Sequence, residues 1–148
     1  MSDDTTMTTL ETLVSKNIES EGEEKYNLQH LNRQLESQER ELEQAEKREK
    51  EAADKSARAD KLYEDLLGYF NRSGQPQELR DEIDRLQGQQ NQARAESQEV
   101  SQRAQGVRDR IQKAKGFIEE QKQRSKTLAE DREKLHRHIN NVKQENAS

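Results

Sequence analysis

The stretch LYEDLLGYFNRSGQPQELRDEIDRL, residues 62–86, decides the reading of the whole chain. It holds the only proline, Pro76, and gathers Tyr63, Tyr69 and Phe70 in a sequence that is 3% aromatic. At its centre stands NRSGQPQE, residues 71–78. Gly74 can take the positive φ that ends a helix, and Pro76 suits the first turn of a new one. Glu78 then lies where a carboxylate favours the unpaired backbone donors of a helix start. This pattern predicts one turn near 72–76 with a helix on either side.

The residues leading into this turn recur at alternating steps of three and four. With Leu28, Leu35, Leu42, Glu49, Ser56, Tyr63 and Phe70 at position a of a heptad, Leu31, Gln38, Ala45, Ala52, Ala59 and Leu66 fall at d. Beyond the turn, the d series runs Leu79, Leu86, Ala93, Val100, Val107, Ala114, Gln121, Leu128, Leu135, Val142. Its a series runs Ile83, Gln90, Ser97, Ala104, Ile111, Ile118, Ser125, Arg132, Ile139. Such a repeat specifies a coiled coil.

In an antiparallel pair an a residue meets a d residue, so the residue numbers within each layer must add to a constant. The same constant joins Phe70 with Leu79, Leu66 with Ile83, Leu42 with Val107 and Leu31 with Ile118. Carried outward, it pairs Val14 with Leu135, Leu10 with Ile139 and Met7 with Val142, positions that played no part in setting the register. The fold expected is therefore all-α, a long antiparallel coiled-coil hairpin. Its helices are placed at 8–71 and 77–144, with flexible ends at 1–7 and 145–148. Thr8 and Glu11 form a candidate capping box at the first helix start.

Charge favours this pairing. Residues 1–74 carry 18 acids and 11 bases, residues 75–148 carry 13 acids and 15 bases. At flanking positions Glu39 is expected to face Arg108, Glu41 to face Arg110 and Lys55 to face Glu96, with Arg48 against Arg103 as an unfavourable exception. Exposed pairs of this kind contribute roughly 0.2–1 kcal/mol each and select orientation more than they stabilise.

Composition sets the outer bounds. With 27% hydrophobic and 39% charged residues the chain cannot fill a globular core. A net charge of −5 without a basic stripe points away from nucleic acid. There is no cysteine, hence no disulfide and no thiolate metal site. No apolar run approaches the roughly 18 residues of a membrane span, and MSDDTTMTTLETL lacks the pattern of a signal peptide. The expectation is a soluble, intracellular protein, cytoplasmic before nuclear or virion-borne.

Of the seam positions between 7 and 142, 21 are large apolar, 6 are Ala and 11 are polar. Glu49, Ser56, Gln90 and Ser97 interrupt the middle; Asn17, Glu21, Glu24, Gln121, Ser125 and Arg132 interrupt the part nearer the termini. Burial at roughly 1.5–3 kcal/mol per large side chain must offset about 1–2 kcal/mol of backbone entropy per residue. A lone hairpin is marginal on this comparison, so association is expected, with itself as a homo-oligomer or with helical partner subunits.

Candidate sites follow from what the seam does not use. Leu62, Leu67 and Tyr69 lie beside the tip core and form a candidate partner-binding surface, the competing reading being that they seal the turn. Leu13, Ile18 and Phe117 widen the stripe beyond a strict two-stranded seam, as in bundles of three or four helices, the competing reading being that single exposed apolar residues are ordinary on any surface. His136 and His138 are two apart on a helix and do not face each other, which argues against a metal pair. The acidic run ESEGEE, residues 19–24, lacks the spacing of a calcium loop and is expected to be frayed or irregular. No phosphate-binding glycine loop and no nucleophile with a base occurs. No catalytic residue, metal, cofactor or small-molecule substrate is assigned.

The function expected is that of a non-enzymatic structural or interaction protein, a scaffold, spacer or tether in a larger assembly. Two alternatives remain at this level: a hairpin adaptor or stalk whose tip engages an ATPase or secretion machine, and an extended parallel homodimer.

Overall fold

The structure, a computed structural model, describes residues 2–147, with side chains from Thr5 onward. Two helices account for nearly all of it: α1, Ser2–Arg72, and α2, Gln77–Ala147. The chain doubles back between them and the two helices pack against each other as an all-α hairpin. This is the antiparallel hairpin expected from the heptad register.

The turn is built by the residues the sequence singles out. Gly74 has φ 80 and Gln75 has φ 58. The Gln75 amide donates to the Phe70 carbonyl at 2.9 Å and the Ser73 amide to the Tyr69 carbonyl at 3.0 Å. This is a Schellman-type closure, in which left-handed residues let late amides satisfy carbonyls that the helix end leaves open. The Ser73 hydroxyl donates a further bond to Tyr69 O at 2.7 Å. Pro76 opens α2, its carbonyl accepting from the Leu79 amide at 3.2 Å, and Glu78 lies in the first turn.

Every a and d position of the heptad reading, from Met7 to Phe70 and from Leu79 to Val142, is buried or half-buried. The exposed residues between them follow the same period, so one stripe on each helix makes the seam. The hairpin divides into two compact units. The first comprises the chain up to Glu36 and from Gln112 on, the second Ser37–Ile111.

In the second unit the core runs from Phe70 and Ile83 near the turn through Ala93 to Ala104, Val107 and Ile111. Among the described residues Ala104 alone reaches 0% exposure, and no large side chain is fully enclosed. In the first unit the buried apolar residues are Ala114, Ile118 and Ile139, joined by buried Asn17 and Gln121. The Asn17 amide donates to Leu128 O at 2.9 Å, tying the two helices where an apolar layer is missing.

Three expectations are corrected. Residues 2–7 and 145–147, assigned to flexible ends, continue the helices; Met1 and Ser148 lie outside the described residues. Thr8 is accordingly not a helix cap. It lies inside α1, where Thr9 and Thr12 hydroxyls donate to the carbonyls of Thr5 and Thr8, each at 2.9 Å. Residues 19–24 are regular helix, because Glu21 and Glu24 occupy seam positions and Glu21 finds a partner across the seam in Arg132.

Candidate functional site

The ion pairs show how the flanks are organised. Lys55 Nζ meets Glu96 at 3.2 Å and Arg110 meets Glu41 at 3.0 Å, as the register requires. Arg108 does not take Glu39. It bonds Glu49 at 2.8 Å and approaches Glu46 at 3.7 Å, because Glu49 is a half-buried seam carboxylate that needs a cation more than an exposed one does. Arg103 avoids Arg48 by turning to Glu99 of its own helix at 2.7 Å.

These partners move the carboxyl groups. Hydrogen bonds to Glu49 from Arg108 and then from Ser101 outweigh its desolvation and hold it below the ordinary carboxylate value. At Glu21 burial pushes upward, yet hydrogen bonds from Arg132 and Lys25, aided by their charge, carry it below the ordinary value. Glu82 is likewise lowered by its bond from Arg85 one turn away. Each is a charged group made tolerable at or beside a seam by a matched cation.

Some seam polar groups are not matched. Asn17 Oδ1, Glu24 Oε2, Gln121 Nε2 and Ser125 Oγ in the first unit, and Gln38 Oε1 in the second, are buried without a hydrogen-bond partner. Glu24 and Ser125 belong to one a/d layer of the register, so two orphan groups share a single level of the seam.

The apolar residues outside the seam sort by heptad position. Leu62 and Tyr69 are at g and are 58% and 53% exposed, whereas Leu67 is at e and half-buried. Leu62 and Tyr69 share an open groove with Asp65, Leu66, Glu82, Arg85 and Leu86. Leu67 lies on the other flank and does not line it. Of the three residues that sequence assigns to a partner surface, two are therefore brought together and the third is not.

A second groove extends from Leu62 toward Lys55, floored by Ala59 and Ala93 and edged by Arg58, Gln89 and Gln92. Its floor residues are alanines at d positions; Ala59 lies in the Ala- and Ser-rich segment 52–59, whose small side chains allow close helix approach, whereas nothing in the sequence marks Ala93. In the first unit, Leu13 with Leu135 and His138, and Phe117 with Leu31 and Gln121, line comparable open grooves, again on g flanks. Ile18 and Tyr26 are also exposed, at 53% and 71%.

Among the described residues no group of three or more His, Asp or Glu is placed to hold a metal ion. Among the described residues, no helix is long and apolar enough to cross a membrane. The geometry thus defines a coiled-coil hairpin with open apolar grooves beside its seam. Compared with protein-family models, with curated proteins and with solved structures, the chain matches none of them.

Proposed function

We propose that this chain is a non-enzymatic structural and interaction protein, a coiled-coil hairpin that serves as scaffold, spacer or tether by packing its seam flanks against further helices. The observation that carries the reading is the set of large apolar side chains left half in water beside the seam: Leu13, Leu62, Tyr69 and Phe117, all at g. A g row of this kind belongs to bundles in which each helix contacts two neighbours, since a strict two-stranded seam uses only a and d.

Surface area supports the same reading. The chain exposes 11116 Å², against about 7800 Å² for a compact monomer of this mass. The excess is surface available to partners, and the unpaired polar groups in the seam weaken the hairpin on its own.

Affinity capture with the unaltered chain and with a Leu13→Ala, Leu62→Ala, Tyr69→Ala, Phe117→Ala variant tests this. Helical partner proteins, or further copies of the chain, are expected on the first and not on the second, at unchanged helicity by circular dichroism. The same set on both would contradict the reading.

A further inference from the structure

The groove beside Leu62 has an arrangement of charges that points to its occupant. Lys55, Arg58, Leu62, Asp65 and Tyr69 follow one another along the same flank of α1 in the second unit. Arg58 and Asp65 are both exposed and neither makes an ion pair within the chain among the described residues. They sit two helical turns apart at equivalent c positions, one on each side of Leu62. Lys55 and Tyr69 sit one heptad to either side of Leu62 at g. Both pairs are therefore centred on Leu62 or within half a residue of it.

A surface of this kind is complementary to itself after a half-turn. We infer that the Leu62 flank of the second unit docks on the same flank of a second copy of this chain, with the two hairpins antiparallel and the twofold axis passing beside Leu62. The inference rests on the association reading above and names its partner. Leu62 of each copy enters the space above Ala59 and Ala93, where the floor is small, and the two leucines meet across the axis. Arg58 of one copy then faces Asp65 of the other, twice by symmetry, so two charges left without partners in the single chain acquire them. The Tyr69 ring lands beside Lys55, a cation over an aromatic face.

The α2 rim is compatible with this approach. Its central residues, Gln89 and Gln92, are uncharged. Glu82 and Glu96, which would approach their like on the second copy, are each neutralised within the chain, by Arg85 and Lys55. A parallel, tip-to-tip dimer makes a different pairing. It sets α1 over α2, opposes Asp65 to Arg85, a residue already engaged by Glu82, and brings Arg48 toward Arg103.

The test is light scattering of the full chain with charge reversals at exposed positions. The unaltered chain is expected to show twice its 17.3 kDa at high concentration and to dissociate on dilution. Arg58→Glu alone, and Asp65→Arg alone, are each expected to weaken the dimer at least tenfold, and the two together to restore it. Because the chain has no cysteine, a single spin label at Asn71→Cys reports geometry, with roughly 30 Å expected between copies at 1.5 Å per residue from the axis. Restoration of Asp65→Arg by Arg85→Glu in place of Arg58→Glu, or a label distance well under 20 Å, overturns the antiparallel arrangement. A single-chain mass at every concentration overturns the second copy as occupant. It leaves the broader association reading to the capture experiment, which scores partners of other sequence.

Discussion

Ile118→Ala, set beside Ile18→Ala, probes the seam with one chemical change at two depths in the same unit. Ile118 is 5% exposed at an a position and Ile18 is 53% exposed at e. Removing the Ile118 side chain loses nearly its full transfer free energy and leaves a space opposite Leu31 that neighbours fill only in part. The usual range for such a truncation is about 2–5 kcal/mol. A two-helix seam collapses more easily than a globular core, which places the expected loss near 2 kcal/mol. At Ile18 roughly half the transfer term is at stake, no enclosed space results, and alanine's better helix propensity recovers a few tenths, leaving a loss under about 1 kcal/mol. Urea unfolding followed by circular dichroism, at a concentration where the chain is monomeric, reads the difference. Equal losses at the two sites, or a larger one at Ile18, would refute the assignment of the seam.

Three further outcomes follow from named features. Gly74→Ala is expected to cost about 1–2 kcal/mol, since a side chain at φ 80 is strained although nothing lies within 4 Å of the added carbon. Unfolding by urea with no change in midpoint would show that the turn does not hold that conformation. Replacing Glu24 and Ser125 together by Leu removes two buried groups that lack partners, Glu24 Oε2 and Ser125 Oγ, and is expected to raise the urea midpoint. A lowered midpoint would mean that these groups are satisfied in solution. Glu21, Glu49 and Glu82 have carboxyl groups held below the ordinary value in the fold. Their contribution is therefore complete above the ordinary carboxylate range and is lost as pH falls through the lowered values. The thermal midpoint should fall on acidification, and less steeply in Glu21→Gln and Glu49→Gln; identical slopes in all three proteins would contradict the pairing with Arg132 and Arg108.

The seam was legible in the sequence because its signal is repeated many times. A three–four period sustained from Met7 to Val142 fixes which side of each helix is buried, and a constant residue sum fixes which residues oppose. The polar seam residues obeyed it too: Asn17, Gln90 and Gln121 are buried where the period puts them despite their chemistry. The turn was legible for a local reason, since Gly74 and Pro76 each permit few alternatives. What did not emerge was decided by side-chain reach. Arg108 has Glu39, Glu46 and Glu49 within range in principle, and only the half-burial of Glu49 settles the choice. The start of α1 was misplaced because Thr8 and Glu11 satisfy a capping pattern by composition alone, while Thr9 and Thr12 return their hydroxyls to the preceding turn and leave the helix intact; the start of α2 at Gln77 falls where the turn residues put it.

The candidate surface divides the same way. Leu62, Leu67 and Tyr69 were grouped because all three flank the tip core. Their heptad letters already separated them, g for Leu62 and Tyr69 and e for Leu67, and the groove follows the letters. That Ala59 and Ala93 floor a groove is harder to read, because alanine at d is ordinary in any seam. The groove becomes visible only once Leu62 is seen to be exposed beside them.

The doubling back of the chain along one seam is tested most directly by a cross-link within a single layer of the second unit. Ala45 and Ala104 share such a layer, and the chain has no other cysteine to compete. On mild oxidation of the Ala45→Cys, Ala104→Cys protein, a disulfide is expected to form within one molecule, at unchanged mass under denaturing, non-reducing conditions and with faster migration. Oxidation that yields only covalent dimers, with no intramolecular species at any dilution, would contradict the hairpin.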